Sequence, residues 1–188
     1  LHVLTHSFPT RRSSDLAVGF AAGLYYAITY ALMAAVGFGV LMVLSTDNIE
    51  CEEIKDLAGL NQRHAWFAFL MLLAMFSMAG IPPLMGFYAK FGVIKALLSA
   101  STAQNAAMAG STYIVLAVFA VVMSLIGAFY YLRVVKVMYF DEATHDQPVG
   151  SNYAAKFFLS VNAFLLILWG IMPQTVIDWC ARALENTL

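Results

Sequence analysis

The chain has 188 residues, 62% of them hydrophobic and 11% charged, with a formal net charge of −1 and a mean hydropathy of +0.78. Soluble domains hold about 45–50% apolar and about 25% charged residues. The composition therefore argues against a water-soluble enzyme, a nucleic-acid binder or a disordered chain, and for an integral membrane protein.

Leu1 to Leu16 reads LHVLTHSFPTRRSSDL. It is polar and lacks the long apolar run and small-residue cleavage site of a signal peptide. The run from His6 to Leu16 is what one frame of a common sequencing-adapter oligonucleotide yields on translation. Residues 1–16 are therefore expected to be non-native, with native sequence from about Ala17, and no function is assigned to them; the alternative is a genuine extramembrane loop. The lack of a Met at position 1 fits a truncated gene.

Four hydrophobic blocks follow, to be set against the roughly 20 mainly apolar residues that a spanning helix needs. Block A, about 19–44, has no charge and carries Tyr25, Tyr26, Tyr30, Gly37, Phe38 and Gly39, small and aromatic residues suited to close helix packing. Block B runs over 66–98, block C over 113–139, and block D over 157–172, where it ends at Pro173. A short amphipathic tail with Asp178, Trp179 and Arg182 comes last. The loop 45–64 is acidic and turn-like, and its run from Asp47 to Asp56 reads as solvated. Cys51 and Cys180 match no metal or redox spacing and read as plain loop or apolar residues.

Block B is too long for one straight crossing. Its 33 residues would form a helix about 50 Å long, against a hydrocarbon core of about 30 Å. It also contains Gly80-Ile81-Pro82-Pro83 and Gly86. The prolines cannot donate, which frees the carbonyls of Met78 and Ala79 four residues back, and their rings clash with the preceding turn. The helix is expected to break near 80–88, as either a hairpin or one interrupted crossing. A single crossing puts Lys55, Arg63, Arg133, Lys136 and Lys156 on one side and Arg182 on the other; a hairpin splits the same cations three against three. Positive residues gather on the cytoplasmic side. The interrupted crossing is therefore preferred, with the A–B and C–D loops cytoplasmic and the C-terminus outside.

Lys90 lies seven residues after Pro83, so it returns to nearly the same helix face. Lys95, about 140° around from it, can snorkel to the interface. A lysine at membrane depth costs about 2.5–3.5 kcal/mol on insertion scales, and a desolvated amine holds its proton less firmly than one in water. Broken helices at this depth are tolerated only inside protein or against a wet cavity. A titratable amine beside freed carbonyls and a cavity can hand on protons; a lysine that merely snorkels outward is the plainer reading of the same residue.

The string from Met75 to Phe91 (MFSMAGIPPLMGFYAKF) resembles the signature of the antiporter-like membrane subunits of respiratory complex I, NADH:quinone oxidoreductase, and among them subunit N. Tyr130-Tyr131-Leu132-Arg133-Val134 and the ending Trp169-Gly170-Ile171-Met172-Pro173-Gln174 match in order, and block A resembles the preceding helix. Subunit M usually has glutamate where Lys90 stands; Mrp-type sodium/proton antiporters share the broken-helix string. The resemblance implies an all-α membrane fold of fourteen helices in two inverted repeats, of which this chain would be the last four, one of them discontinuous. It implies that Lys90 is the proton-relay lysine of the second broken helix, with Gly80, Pro82, Pro83 and Gly86 as its hinge. The earlier channel's charged residues have no counterpart here, so the fragment alone should not pump.

His64, Tyr131 and Arg133 are further candidates for a proton path, each also readable as an ordinary interfacial residue. Ser77, Ser124 and Asn162 can bond across helices. No haem, iron–sulfur or flavin spacing is present, so no cofactor is expected in this chain; NADH, FMN, iron–sulfur clusters and quinone would belong to other subunits. The implied partners are neighbouring complex I membrane subunits and the lipid bilayer, in a bacterial inner membrane, with no nucleic acid. The competing functions are an Mrp-type sodium/proton antiporter subunit and a non-transporting membrane scaffold.

Overall fold

The computed structural model describes residues 10–45, 53–102, 110–143 and 153–185. Cys51, the acidic residues 47–52 and the loop centres 103–109 and 144–152 lie outside the described residues. Within them the chain is helical: α1 (Thr10–Leu44), a 3-10 turn (Ile54–Leu57), α2 (Leu60–Arg63), α3 (Ala65–Ala79), α4 (Met85–Ser101), α5 (Gly110–Phe140), α6 (Tyr153–Ile171) and α7 (Pro173–Glu185).

Among the described residues three helices are long and apolar enough to cross a membrane: Val18–Leu44 within α1, Gly110–Phe140 and Tyr153–Ile171. They coincide with blocks A, C and D. α1 begins earlier than block A, at Thr10, because hydropathy marks the apolar stretch and not the end of the hydrogen-bond ladder. Block B becomes two helices, α3 of 15 residues and α4 of 17. At about 1.5 Å per residue these measure about 22 and 26 Å, each short of a bilayer core.

α3 is apolar on every face, and a helix of that kind is buried. Phe67, Ala68, Leu70, Met71, Leu73, Ala74, Met75 and Ser77 are all inside. They pack with Met33, Val36 and Val40 of α1, Met138 of α5, and Ala163 and Leu166 of α6. Gly39 of α1 makes room for Leu159 of α6, which a Cβ there would strike. α5 is the outermost helix: only 6% of its most apolar stretch is buried, against 33% for α1. α7 is amphipathic, with Val176 and Cys180 against Ala21 and Tyr25 while Trp179 stays exposed. Cys180 is a free, buried apolar residue, as expected.

α3 and α4 run in the same sense. Gly37 of α1 faces Met75 and Met78 at the end of α3, whereas Gly92 of α4 faces Ala22, earlier in α1. Both half-helices are thus antiparallel to α1. The segment 53–63 closes the bundle at one end. Leu57 and Leu60 enter the core, the Gly59 N–H donates to the Val137 carbonyl at 3.3 Å, and Arg63 donates to the carbonyls of Asp56 and Ala58, both at 3.1 Å. Of the run from Asp47 to Asp56 expected to be solvated, the described part is exposed at Glu53 to Lys55 and half-buried at Asp56, and burial begins only beyond it, at Leu57 to Leu60. The Trp66 indole donates to the Ser160 hydroxyl at 2.9 Å, which brings the start of α6 to that same end. Lys55, Arg63, Arg133, Lys136 and Lys156 are consequently grouped there.

Candidate functional site: the α3–α4 junction and its lysine

α3 stops at Gly80, whose φ of 86° is left-handed, a conformation that costs an L side chain about 1–2 kcal/mol and glycine almost nothing. The Gly80 N–H donates to Phe76 and Ser77 carbonyls at 3.1 and 3.0 Å, and the Ile81 N–H reaches Phe76 at 3.0 Å. These are the bonds of a Schellman C-cap, which take up carbonyls orphaned at a helix end. Pro82 and Pro83 follow, joined by a cis peptide.

α4 restarts at Met85 behind Leu84, whose side chain offers no cap. The Gly86 N–H, one of the orphan donors of a helix start, is instead taken by the Ser77 hydroxyl at 3.1 Å. A residue of the first half-helix therefore caps the second. The approach is so close that a Cβ on Gly86 would overlap the Ser77 carbonyl oxygen. α6 supports the break from behind: a Cβ on Gly170 would overlap the Pro83 carbonyl oxygen.

The half-buried Lys90 reaches back across this gap. Its Nζ donates to the Ala79 carbonyl at 3.2 Å and to the Ser124 hydroxyl of α5 at 2.8 Å. Ala79 is one of the two residues whose carbonyls the prolines were expected to free, and the α3 C-terminus to which it belongs carries partial negative charge that favours a cation. The lysine stem passes over Gly80, with Cδ 3.2 Å from where a Cβ would stand. The amine opens onto a cleft of about 420 Å³ between α1, α4 and α5, lined among others by Tyr26, Tyr30, Lys90, Ser124 and Tyr131.

The structure thus brings Lys90, Gly80, Gly86 and Tyr131 together, with Pro82 and Pro83 in the exposed link beside them. It does not bring in His64 or Arg133. His64 stands between α2 and α3, a helix length of about 22 Å from the break. Arg133 is exposed on α5 and absent from the cleft wall. Lys95 is exposed, in keeping with a snorkelling role. Of the three residues expected to bond across helices, Ser124 does so and Ser77 links the two half-helices, but the buried Oδ1 of Asn162 has no partner among the described residues. Tyr26 and Tyr30 were not among the expected site residues. Their spacing with Met33, four and three residues apart, is the signal that places them on one stripe of α1. Among the described residues no three His, Cys, Asp or Glu side chains come together as a metal site.

A family model described as "NADH:quinone oxidoreductase/Mrp antiporter, TM" matches residues 13–116, more than half of the chain and inclusive of Lys90. A protein named NADH-quinone oxidoreductase subunit N from Neisseria gonorrhoeae is 74% identical over 173 residues, which are 92% of this chain and 34% of that protein. One of the same name from Laribacter hongkongensis is 51% identical over 90% of this chain and 33% of its own length. Among solved structures, a chain of respiratory complex I from Thermus thermophilus with bound aureothin superposes with a TM-score of 0.65 at 24% identity, over 85% of this chain and 34% of that one. That likeness carries the fold. The chain spans about a third of the length of the curated relatives it matches.

Proposed function

The chain belongs to the NADH:quinone oxidoreductase/Mrp antiporter transmembrane family, and on that premise we propose that it is the C-terminal part of a complex I subunit of the N type, contributing part of a proton channel. The observation that carries this reading is the Lys90 amine, bonded to the Ala79 carbonyl at the break of an interrupted helix and open to a cleft. Held there, the amine can take a proton from the cleft and release it when distant quinone chemistry changes its surroundings. The resemblance to subunit N, read first in the string around Lys90, agrees with the names of the relatives at 74% and 51% identity.

On this reading α3 and α4 form one interrupted crossing, the fourth beside α1, α5 and α6. Their common sense along α1 supports it. The five cations grouped at one end and Arg182 toward the other favour cytoplasmic loops at 45–64 and 141–155 and an outer C-terminus. The membrane would be the bacterial inner membrane, and the partners the missing two thirds of the polypeptide, adjacent antiporter-like and small membrane subunits, and lipid. Redox groups would sit in other subunits, and this part alone would not pump. Gly80, Pro82, Pro83 and Gly86 keep the gap open; Tyr131 extends the polar wall. His64 and Arg133, outside the cleft, could only serve a path that passes through further residues.

The test is Lys90→Ala in the full-length protein assembled in its complex, read as NADH-driven proton uptake by inverted membrane vesicles. We expect uptake to fall about a hundredfold or more, the size typical for loss of a positioned acid–base group. Unchanged uptake sinks the reading. Sodium-dependent exchange without NADH, lost in the same variant, would move it to the antiporter branch of the family.

A further inference from the structure

Building on the proton-channel reading, we infer that Ser124 is the positioning residue for the Lys90 amine and holds it through both protonation states. The amine is fastened at two points, the Ala79 carbonyl on α3 at 3.2 Å and the Ser124 hydroxyl on α5 at 2.8 Å. Their chemistry differs. A carbonyl only accepts, so it can serve an N–H of either the charged or the neutral amine. A hydroxyl accepts and donates. When Lys90 is an ammonium, Ser124 Oγ accepts one of its three protons. Once the amine is neutral, one nitrogen lone pair is bare, and the Ser124 O–H can rotate to donate into it. The carbonyl cannot make that reversal.

Ser124 therefore keeps the nitrogen in place while its charge changes, giving the half-buried amine a fixed partner in either state. The position of the serine fits this task. Lys90 itself belongs to α4, so the amine ties three helices together, and the stem lies against Gly80, where no side chain competes for the space. Tyr26, Tyr30 and Tyr131 line the same cleft but do not hydrogen-bond the amine. On α5, Ser124, Gly127 and Tyr131 follow at spacings of three and four, one continuous stripe along the cleft.

The experiment uses the full-length protein in its assembled complex, with assembly checked on native gels and proton uptake measured in inverted vesicles. Loss of a hydrogen bond to a charged group predicts that Ser124→Ala slows NADH-driven uptake about tenfold. Ser124→Thr, which keeps the hydroxyl, should return to within about twofold of the parent, and Ser124→Ala added to Lys90→Ala should cause no further loss, because coupled residues are not additive. Ser124→Cys, close in size but a weak donor and acceptor, should fail as the alanine variant does and serves if alanine prevents assembly. The proposal is overturned by normal uptake in the alanine or cysteine variant, by a threonine variant as slow as alanine in an intact complex, or by additive losses in the double variant. If Lys90→Ala itself leaves uptake intact, it is the proton-channel reading that fails, whatever Ser124 does.

Discussion

Ser77, in the last turn of α3, accepts the Gly86 N–H at 3.1 Å and so caps the helix that begins on the far side of the break. Both residues are buried, and the two half-helices are locked end to end by a bond that neither could make within itself. Ser77→Ala leaves a buried donor unpaired, at a cost of about 1–3 kcal/mol. The expected outcome is a lower thermal inactivation midpoint of the assembled complex. A midpoint equal to the parent's would show that the Gly86 N–H finds another acceptor.

Gly170 and Gly92 are both helical glycines with opposite expectations. A Cβ on Gly170 collides with the backbone oxygen of Pro83, which cannot swing away as a side chain would. Gly170→Ala should therefore separate α6 from the break and reduce the yield of assembled complex. At Gly92 the nearest atom to an added Cβ is the Ala22 methyl at 3.8 Å, an ordinary contact. Gly92→Ala should assemble normally and gain up to about 0.5–1 kcal/mol from the lower backbone entropy cost, read as an unchanged or slightly raised inactivation midpoint.

Gly80→Ala carries two penalties at once. The left-handed backbone at φ 86° costs an alanine about 1–2 kcal/mol. The new methyl would also stand 3.2 Å from Lys90 Cδ, so the lysine stem must shift. Proton uptake should fall along with thermal stability. A variant that lost stability but pumped at the parental rate would separate the turn from the lysine.

At the bundle end, Lys55 and Glu53 form an exposed ion pair at 2.7 Å. The Glu53 side chain, through its hydrogen bond and then its charge, raises the Lys55 pKa above the ordinary lysine range. A raised lysine contributes stability that is fully present at neutral pH and lost only as pH climbs through the raised value. Both partners are solvated, so the contribution is small. Lys55→Gln should leave the inactivation midpoint at pH 7 unchanged within error, and a large drop would reveal a contact that the exposed pair does not account for.

The all-helical, membrane-type class of the chain was legible in the sequence because it rests on local chemistry. Twenty apolar residues in a row need a bilayer or a core, and Pro82 and Pro83 lack the N–H that would continue the ladder wherever they are placed. The string around Lys90 likewise carried the family resemblance without reference to shape.

What surrounds that lysine was decided by tertiary structure alone. Ser124 lies 34 residues along the chain from Lys90, and no spacing rule couples one helix face to another at that distance. Ser77 reads as a residue able to bond across helices, but its partner, the Gly86 N–H, is set only when α4 is turned back against it. Gly170 stands in the sequence only as one residue of the string from Trp169 to Gln174 until α6 is laid on the Pro83 carbonyl. His64 and Arg133 were plausible from their flanking positions, yet helix length puts one about 22 Å from the break and helix rotation turns the other outward. A sequence states which groups can donate, accept or cross a membrane; only the packing of helices distant in sequence determines which of those groups meet.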